Sequence, residues 1–190
     1  MLEYCIRDDL KPKAPRVMAV LDPIKLFIDN YPEDQVEYLD AQVNMENPEL
    51  GVKKIPFGKE LWIEREDFME EPPKKYFRLF PGNEVRLMNA YFVKCVGYEK
   101  DENGKVTVVH CTYDPITKNR TGFTGRKVKG TIHWVPVNQA KKVTVRLYEN
   151  LVDEEKGVYN EDGSVNLNPN SLTVVEECYI EPSIEEAKPG

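Results

Sequence analysis

Apolar and polar residues alternate along most of the chain, in short runs bounded by Pro, Gly, Asn or Asp. Such runs predict β-strands, because successive side chains on a strand point to opposite faces of a sheet. The predicted strands are 17–21, 25–31, 35–39, 60–63, 84–95, 105–112, 127–135, 143–148 and 172–179. An all-β chain of many short strands predicts an antiparallel β-barrel or a pair of barrels.

Segment 84–95 is the longest alternating run. As a single strand it would carry Arg86 and Met88 on its polar face, so that Arg86 is presented outward from a rigid support. A turn at 101–104 then leads into the return strand 105–112, because its Asn-Gly pair tolerates the positive φ of a tight hairpin.

Segment 127–135 predicts a strand with one apolar and one basic face. The apolar face would hold Val128, Gly130, Ile132 and Trp134, and the other face would hold Lys127, Lys129, Thr131 and His133. A strand of this kind can anchor itself in a core while it offers cations to a negatively charged partner.

Helical spacing occurs at the start of the chain, where apolar residues recur at intervals of three and four. A helix that short is marginal in isolation, since about 12–15 residues are needed. We therefore expect residues 1–13 to be the end of a helix that continues outside this chain.

The polar tail at the far end likewise indicates that the chain is cut from a longer polypeptide there. No apolar run approaches the ~20 residues of a membrane helix, and a boundary between two barrels is expected near 139–142.

The charge distribution is more informative than the net charge of −7. Residues 74–134 carry 12 Lys/Arg against 5 Asp/Glu, whereas 33–71 carry 4 against 12 and 151–190 carry 2 against 10. A basic middle block between acidic flanks favours a directed interaction with a polyanion. The alternative is an uneven scatter of ordinary surface charge.

Candidate catalytic chemistry is sparse. His110 and Cys111 are neighbours that would point to opposite faces of a strand, and carboxylate clusters such as 153–155 and 176–177 indicate solvated surface. The four cysteines are scattered, so neither a disulfide framework nor a zinc site is indicated. We expect no catalytic residue, no metal and no cofactor, with reduced thiols in the cytoplasm.

A binding function finds better support in the basic block. Tyr76, Phe77 and Arg78 follow Lys74 and Lys75, and adjacent aromatic and guanidinium planes can stack an unpaired base and hydrogen-bond its edge. The alternative is that the aromatic residues belong to the core and the arginines are merely solvated.

Five sequence motifs, taken together, resemble the C-terminal anticodon-binding region of the glutaminyl-tRNA synthetases. They lie at 14–23, 52–57, 61–71, 110–114 and 126–135, and the resemblance runs from about residue 2 to about 183. The related glutamyl enzymes are less similar, particularly at 110–114 and 127–134.

The resemblance implies two antiparallel β-barrels that unstack and read the three anticodon bases. The proximal barrel would be 14–139, the distal barrel 140–190 without its C-terminal side, and 1–13 the end of a helical linker from the catalytic half. In the family, a Gln-x-Glu-Arg segment that closes around the middle base follows the point where this chain ends.

By position in these motifs, Arg16 matches the reader of the middle base and Arg78 that of the third. Arg86 matches one of two arginines around the first base, while Met88 occupies the place of the other. Phe77 stands where a lysine can assist Arg78, which leaves stacking as its contribution.

Cationic side chains beside these positions are further candidates. Lys75 is expected to join the RNA-binding set, and Lys127 and Lys129 to contact phosphates or simply to lie on the surface.

For the whole polypeptide, the resemblance implies an enzyme that charges tRNA(Gln) with glutamine, with ATP and Mg²⁺ bound by its catalytic domain. This piece would bind the anticodon loop and perform no catalysis, and a monomer is expected. The alternatives are a β-barrel scaffold domain for an acidic protein partner, or the corresponding domain of a glutamyl-tRNA synthetase.

Overall fold

The computed structural model describes residues 2–119, 122–123, 125–152 and 157–186. These residues form mostly β-strands, preceded by one short helix. The acidic cluster predicted at 153–155 and the end of the polar tail lie outside the described residues.

The helix α1, Leu2–Leu10, confirms the helical spacing at the start of the chain, and all of its residues are exposed. The strands are β1 Ala19–Val20, β2 Pro23–Ile28, β3 Glu37–Gln42, β4 Val52–Phe57, β5 Glu60–Glu64, β6 Glu84–Leu87, β7 Phe92–Lys100, β8 Val106–Asp114, β9 Thr131–Ile132, β10 Val135–Pro136, β11 Lys141–Tyr148 and β12 Leu172–Ile180. Short 3₁₀ helices occupy Pro48–Leu50, Arg65–Asp67, Pro115–Thr117 and Pro182–Glu186.

Seven strands form the main sheet, in the order β10-β5-β2-β8-β7-β6-β9. Its two edge strands are joined by His133 and Trp134 alone, so the sheet must curl to bring its edges together. Trp134 is fully buried inside the curl, and its ring packs edge-on against Phe57 with the ring centroids 5.2 Å apart. Phe57 lies on β4, which pairs with β3 as a separate two-stranded sheet. The curled sheet therefore wraps around an aromatic core.

Two strand pairings correct the expectation of purely antiparallel sheets. β2 pairs in parallel with β8, and β6 pairs in parallel with β9. Parallel neighbours need a long connection between them, and five intervening strands separate β2 from β8. The period-2 pattern identifies strands but carries no information about their relative direction.

The prediction of one strand over 84–95 is wrong, because this segment is a hairpin. β6 and β7 pair antiparallel, with Arg86 opposite Phe92, and Asn89 at the turn has φ of 60°. Four residues separate the strands, and an even-numbered turn preserves the alternation of apolar and polar positions. The predicted hairpin, from β7 through Gly104 to β8, is confirmed.

The prediction of one strand over 127–135 is also wrong, although its two faces are confirmed. Lys127 and Lys129 are exposed, whereas Gly130, Ile132 and Trp134 are buried. The strand is interrupted because β9 pairs with β6 at one edge of the sheet and β10 pairs with β5 at the other. No helix in the described residues is long and apolar enough to cross a membrane.

His110 lies between two carboxylates on the surface of the main sheet. Its Nδ1 is 2.8 Å from Asp29 and its Nε2 is 2.9 Å from Glu99. The hydrogen bond to Asp29 raises the pKa of His110, with a further contribution from Glu99.

We expect the free energy of unfolding to depend on pH through His110. Its folded pKa is raised, so the stabilisation is fully present below the unfolded value of about 6.5 and is lost as pH rises through the folded value. Chemical denaturation should show that His110→Gln has a lower free energy of unfolding than the unmodified protein, and that this deficit is larger at pH 5.5 than at pH 8.5. Equal differences at both pH values would show that His110 does not titrate differently on folding.

Candidate nucleic-acid interface

Arg16 lies on the loop between α1 and β1, with a fixed backbone and an exposed side chain. Its N–H donates to the carbonyl of Val43 at 2.9 Å, and its guanidinium pairs with Glu46 at 3.0 Å. The same carboxylate also pairs with Lys11, and the hydrogen bond from Arg16 is the largest of the effects that lower the pKa of Glu46. An exposed pair of this kind contributes little to stability, so Arg16 can exchange it for another anion or acceptor.

Arg16 borders a cavity of about 470 Å³, which we call the Arg16 cavity. Its wall includes Met88, Lys53, His133 and Glu181. The structure thus brings Arg16 together with Met88, two residues that are distant in sequence. The pKa of His133 is raised, chiefly by its contact with Glu64.

Arg78 is held by two carboxylates. Its Nη1 donates to Glu66 at 3.0 Å and also contacts Asp67. Asp67 is only 2% exposed, and its burial raises the pKa of its carboxyl. Its second oxygen, Oδ2, has no hydrogen-bond partner within the described ranges. The buried carboxylate therefore fixes one end of Arg78, while the guanidinium remains partly open to solvent.

Phe77 and Lys75 are both exposed and lie close to Arg78 in the sequence. The Phe77 ring is 47% exposed, and the Lys129 ammonium lies 5.2 Å from its centroid. Lys75 is exposed, with φ of 72° in the left-handed region. An exposed ring bordered by cations offers a stacking platform for a flat, electron-rich ligand.

Arg86 lies half-buried in a second cavity of about 240 Å³, which we call the Arg86 cavity. Its guanidinium carbon is 4.2 Å from the Phe92 ring centroid, and it donates to the carbonyls of Ala90 and Thr117. Burial lowers the pKa of Arg86. Among the described residues no carboxylate pairs with it, so its charge is balanced less completely than that of Arg16 or Arg78.

Three further residues of the Arg86 cavity are Phe123, Arg126 and Lys127. Arg126 forms ion pairs with Glu84 and Asp114, whereas Lys127 is exposed. Nothing in the sequence pattern indicates Phe92 as the ring beneath Arg86, because the two residues face each other only when 84–95 forms a hairpin. The pattern likewise gives no sign that Met88 lines the same cavity as Arg16.

Residues 130–133 connect the three arginine sites. The Gly130 carbonyl accepts from the N–H of Arg86, and the Ile132 carbonyl accepts from the N–H of Met88, both at 2.9 Å. A Cβ on Gly130 would lie 1.7 Å from the carbonyl oxygen of Phe77, so this backbone packs directly against the Arg78 loop. His133 completes the series at the Arg16 cavity. We call 130–133 the connecting segment.

The arrangement offers three separate cationic sites, and at two of them a cation lies over an aromatic ring, Arg86 over Phe92 and Lys129 over Phe77. Such sites can stack unpaired bases and hydrogen-bond their edges. Within the described ranges, no group of three His, Cys, Asp or Glu side chains is placed to hold a metal ion.

Two family models match the chain, and both are described as "tRNA synthetases class I (E and Q), anti-codon binding domain". The first matches residues 14–114 and the second matches residues 131–190.

Similar curated proteins are glutamine–tRNA ligases. That of Clostridium perfringens is 56% identical over 193 residues and that of Clostridioides difficile 51% over 193 residues, each alignment covering 100% of this chain and 34% of the relative. The Bradyrhizobium diazoefficiens protein is 48% identical, over 98% of this chain and 33% of its own length. The chain spans about a third of the length of the curated relatives it matches.

We expect Gly130→Ala to destabilise the protein by about 1–3 kcal/mol, the cost of overpacking a tight site. The new methyl group would displace the carbonyl of Phe77. Gly97→Ala is the matched control, because nothing lies within 4 Å of its added Cβ. Urea denaturation of both variants measures the difference, and equal stabilities would contradict the close contact.

Proposed function

The chain belongs to the anticodon-binding domain family of the class I glutamyl- and glutaminyl-tRNA synthetases, and we propose that its full-length polypeptide is a glutamine–tRNA ligase. Within that enzyme the chain is the anticodon-binding part, and catalysis belongs to the remainder. The names of the similar proteins favour glutamine over glutamate, and nothing in the comparisons favours a scaffold domain.

The observation that best supports anticodon binding is the connection of three cationic sites through the connecting segment. An anticodon loop presents three consecutive bases, and a protein that unstacks them needs three neighbouring pockets on a rigid support. The sheet edge formed by β6 and β9 provides this support, because each arginine site contacts it or the residue directly before or after β9.

We assign one base to each site, and the assignment rests on the family resemblance together with the geometry. Arg16 contacts the middle base, Arg78 the third base with Phe77 stacking beside it, and Arg86 the first base above the Phe92 ring. Lys75, Lys127 and Lys129 are exposed beside these sites, where they can contact phosphates. Met88 borders the Arg16 cavity, so its influence falls on the middle base as well as the first.

We also propose the family's architecture for this chain: a linker at 1–13, a proximal barrel at 14–139 and a distal barrel at 140–190. In support, β10 is the last strand of the main sheet, and β11 belongs to a different sheet with β1 and β12.

The partners of this proposed ligase are the anticodon loop of tRNA(Gln) and the catalytic domain of the same polypeptide, where ATP and Mg²⁺ would bind. We propose that it acts as a monomer in the cytoplasm. Its four cysteines are free thiols, the state that proteins of this reducing compartment usually have.

Arg78→Ala in the full-length enzyme should raise the KM for tRNA(Gln) and leave the KM values for glutamine and ATP nearly unchanged. A bidentate arginine contact to a base contributes about 1–3 kcal/mol, which corresponds to roughly 5- to 150-fold. Steady-state aminoacylation with each substrate varied in turn measures this.

Arg146→Ala is the control, because Arg146 is an exposed arginine on β11, outside the main sheet. An Arg78→Ala enzyme with an unchanged dependence on tRNA would rule out Arg78 as a base contact. A rise in all three KM values would indicate damage to the fold instead.

Lys127→Ala should weaken the salt dependence of tRNA binding without changing base preference. Each phosphate neutralised by a cation contributes about 0.7–0.9 to the slope of log K against log salt concentration. Fluorescence anisotropy of the full-length enzyme with labelled tRNA, between 50 and 200 mM salt, measures the slope. A slope equal to that of the unmodified enzyme would identify Lys127 as an ordinary surface lysine.

A further inference from the structure

A buried ion pair joins the two parts of the chain that match separate family models. Lys53 lies on β4, within the first matched range, and Glu181 directly follows β12, within the second. The Lys53 ammonium contacts a Glu181 carboxylate oxygen, and their side chains are 12% and 1% exposed. This pair is far more buried than the exposed pairs made by Arg16 and its neighbours.

Both members of the pair also bind the backbone beside Arg16. The Lys53 ammonium donates to the carbonyl oxygen of Arg16. Glu181 Oε2 accepts from the N–H of Met18 at 2.9 Å, and the Glu181 N–H donates to the Met18 carbonyl at 3.0 Å. The strand pairing of β1 with β12 begins at the next residue, Ala19 opposite Ile180. Hydrogen bonds to Lys53 and Glu181 therefore fix the position of the main chain at 16–18.

The pair borders the Arg16 cavity itself. Neither charged group is needed to fill space there, since apolar residues of similar volume often serve as well for stability as a buried ion pair. Hydrogen bonds made by a buried ammonium or carboxylate are, however, shorter and stronger than those between neutral groups. Here they hold the peptide groups on both sides of Val17, next to the Arg16 side chain.

We propose that Lys53 and Glu181 are positioning residues for the recognition of the middle anticodon base, acting through the backbone of Arg16. The inference rests on the proposed role of Arg16 as the contact to that base. It adds that Glu181, in the second matched range, helps to position Arg16, in the first matched range. Both ranges therefore contribute to recognition of the middle base.

The test uses the full-length enzyme and two tRNA(Gln) transcripts, one of them with a substituted middle anticodon base. The quantity measured is the ratio of kcat/KM values for the two transcripts. Lys53→Met should reduce this ratio about tenfold or more, because a small misplacement of a contact group can lose on the order of 10²-fold. Lys54→Met is the matched control, since Lys54 is the next residue on β4 and its side chain is exposed.

Glu181→Gln is the second variant, in case Lys53→Met unfolds. It keeps the size and one acceptor oxygen of Glu181 while it removes the charge, and it should reduce the ratio in the same direction. The KM values for glutamine and ATP report whether the enzyme remains folded. A folded Glu181→Gln enzyme with an unchanged ratio would overturn the proposal.

A cycle with Arg16→Ala separates positioning from general structure. If Lys53 acts through Arg16, Lys53→Met should have no further effect on the ratio in the Arg16→Ala background. Additive losses would overturn the positioning role. An unchanged ratio in Arg16→Ala alone would instead refute the middle-base assignment, on which the proposed function depends, whatever the Lys53 variant shows.

Discussion

The contact between Gly130 and the carbonyl of Phe77 is the constraint on which the candidate interface depends. Only a residue without a side chain lets the two backbones approach so closely. With the approach in place, the connecting segment hydrogen-bonds to Arg86 and Met88 on one side and supports Phe77 on the other. The arginines themselves are spread over the chain, but the segment that organises them spans four residues.

The three arginines differ in how their charge is balanced within the protein. Arg16 and Arg78 pair with the exposed carboxylates of Glu46 and Glu66, and such pairs are weak. Exchange of these partners for a base edge or a phosphate is therefore inexpensive. Arg78 also keeps the buried carboxylate of Asp67, and Arg86 keeps its ring and two carbonyls. Both guanidiniums are thus oriented in advance, which reduces the entropy lost on binding.

The sequence was sufficient for the β-rich architecture, the initial helix and the hairpin at Gly104, because each depends on local periodicity or turn chemistry. It was insufficient for the turn at Asn89, because an even number of turn residues leaves the alternation of apolar and polar positions unbroken. It was also insufficient for the interruption between β9 and β10, which arises because these two strands pair at opposite edges of the sheet. β4 was missed as a strand because it contains Pro56, and proline weakens a strand assignment. The parallel pairings follow from long connections that no local pattern records.

The candidate site was predictable to a similar degree. Sequence motifs identified Arg16, Arg78 and Arg86 as base-contact candidates, and charge patterning identified the basic block around Arg78 and Arg86. The Phe92 ring beneath Arg86, the buried Asp67 behind Arg78 and the Lys53–Glu181 pair behind Arg16 were not predictable, because each pairs residues that are brought together only by the folded sheet. The contacts that orient each arginine join residues far apart in sequence, whereas the motif that identifies the arginine is local.

The most direct test of three-site recognition is a structure of the full-length polypeptide bound to tRNA(Gln). We expect the three anticodon bases to be unstacked, with the middle base in the Arg16 cavity, the third beside Arg78 and Phe77, and the first in the Arg86 cavity. An anticodon that remains stacked, or that binds a surface remote from the connecting segment, would contradict the account.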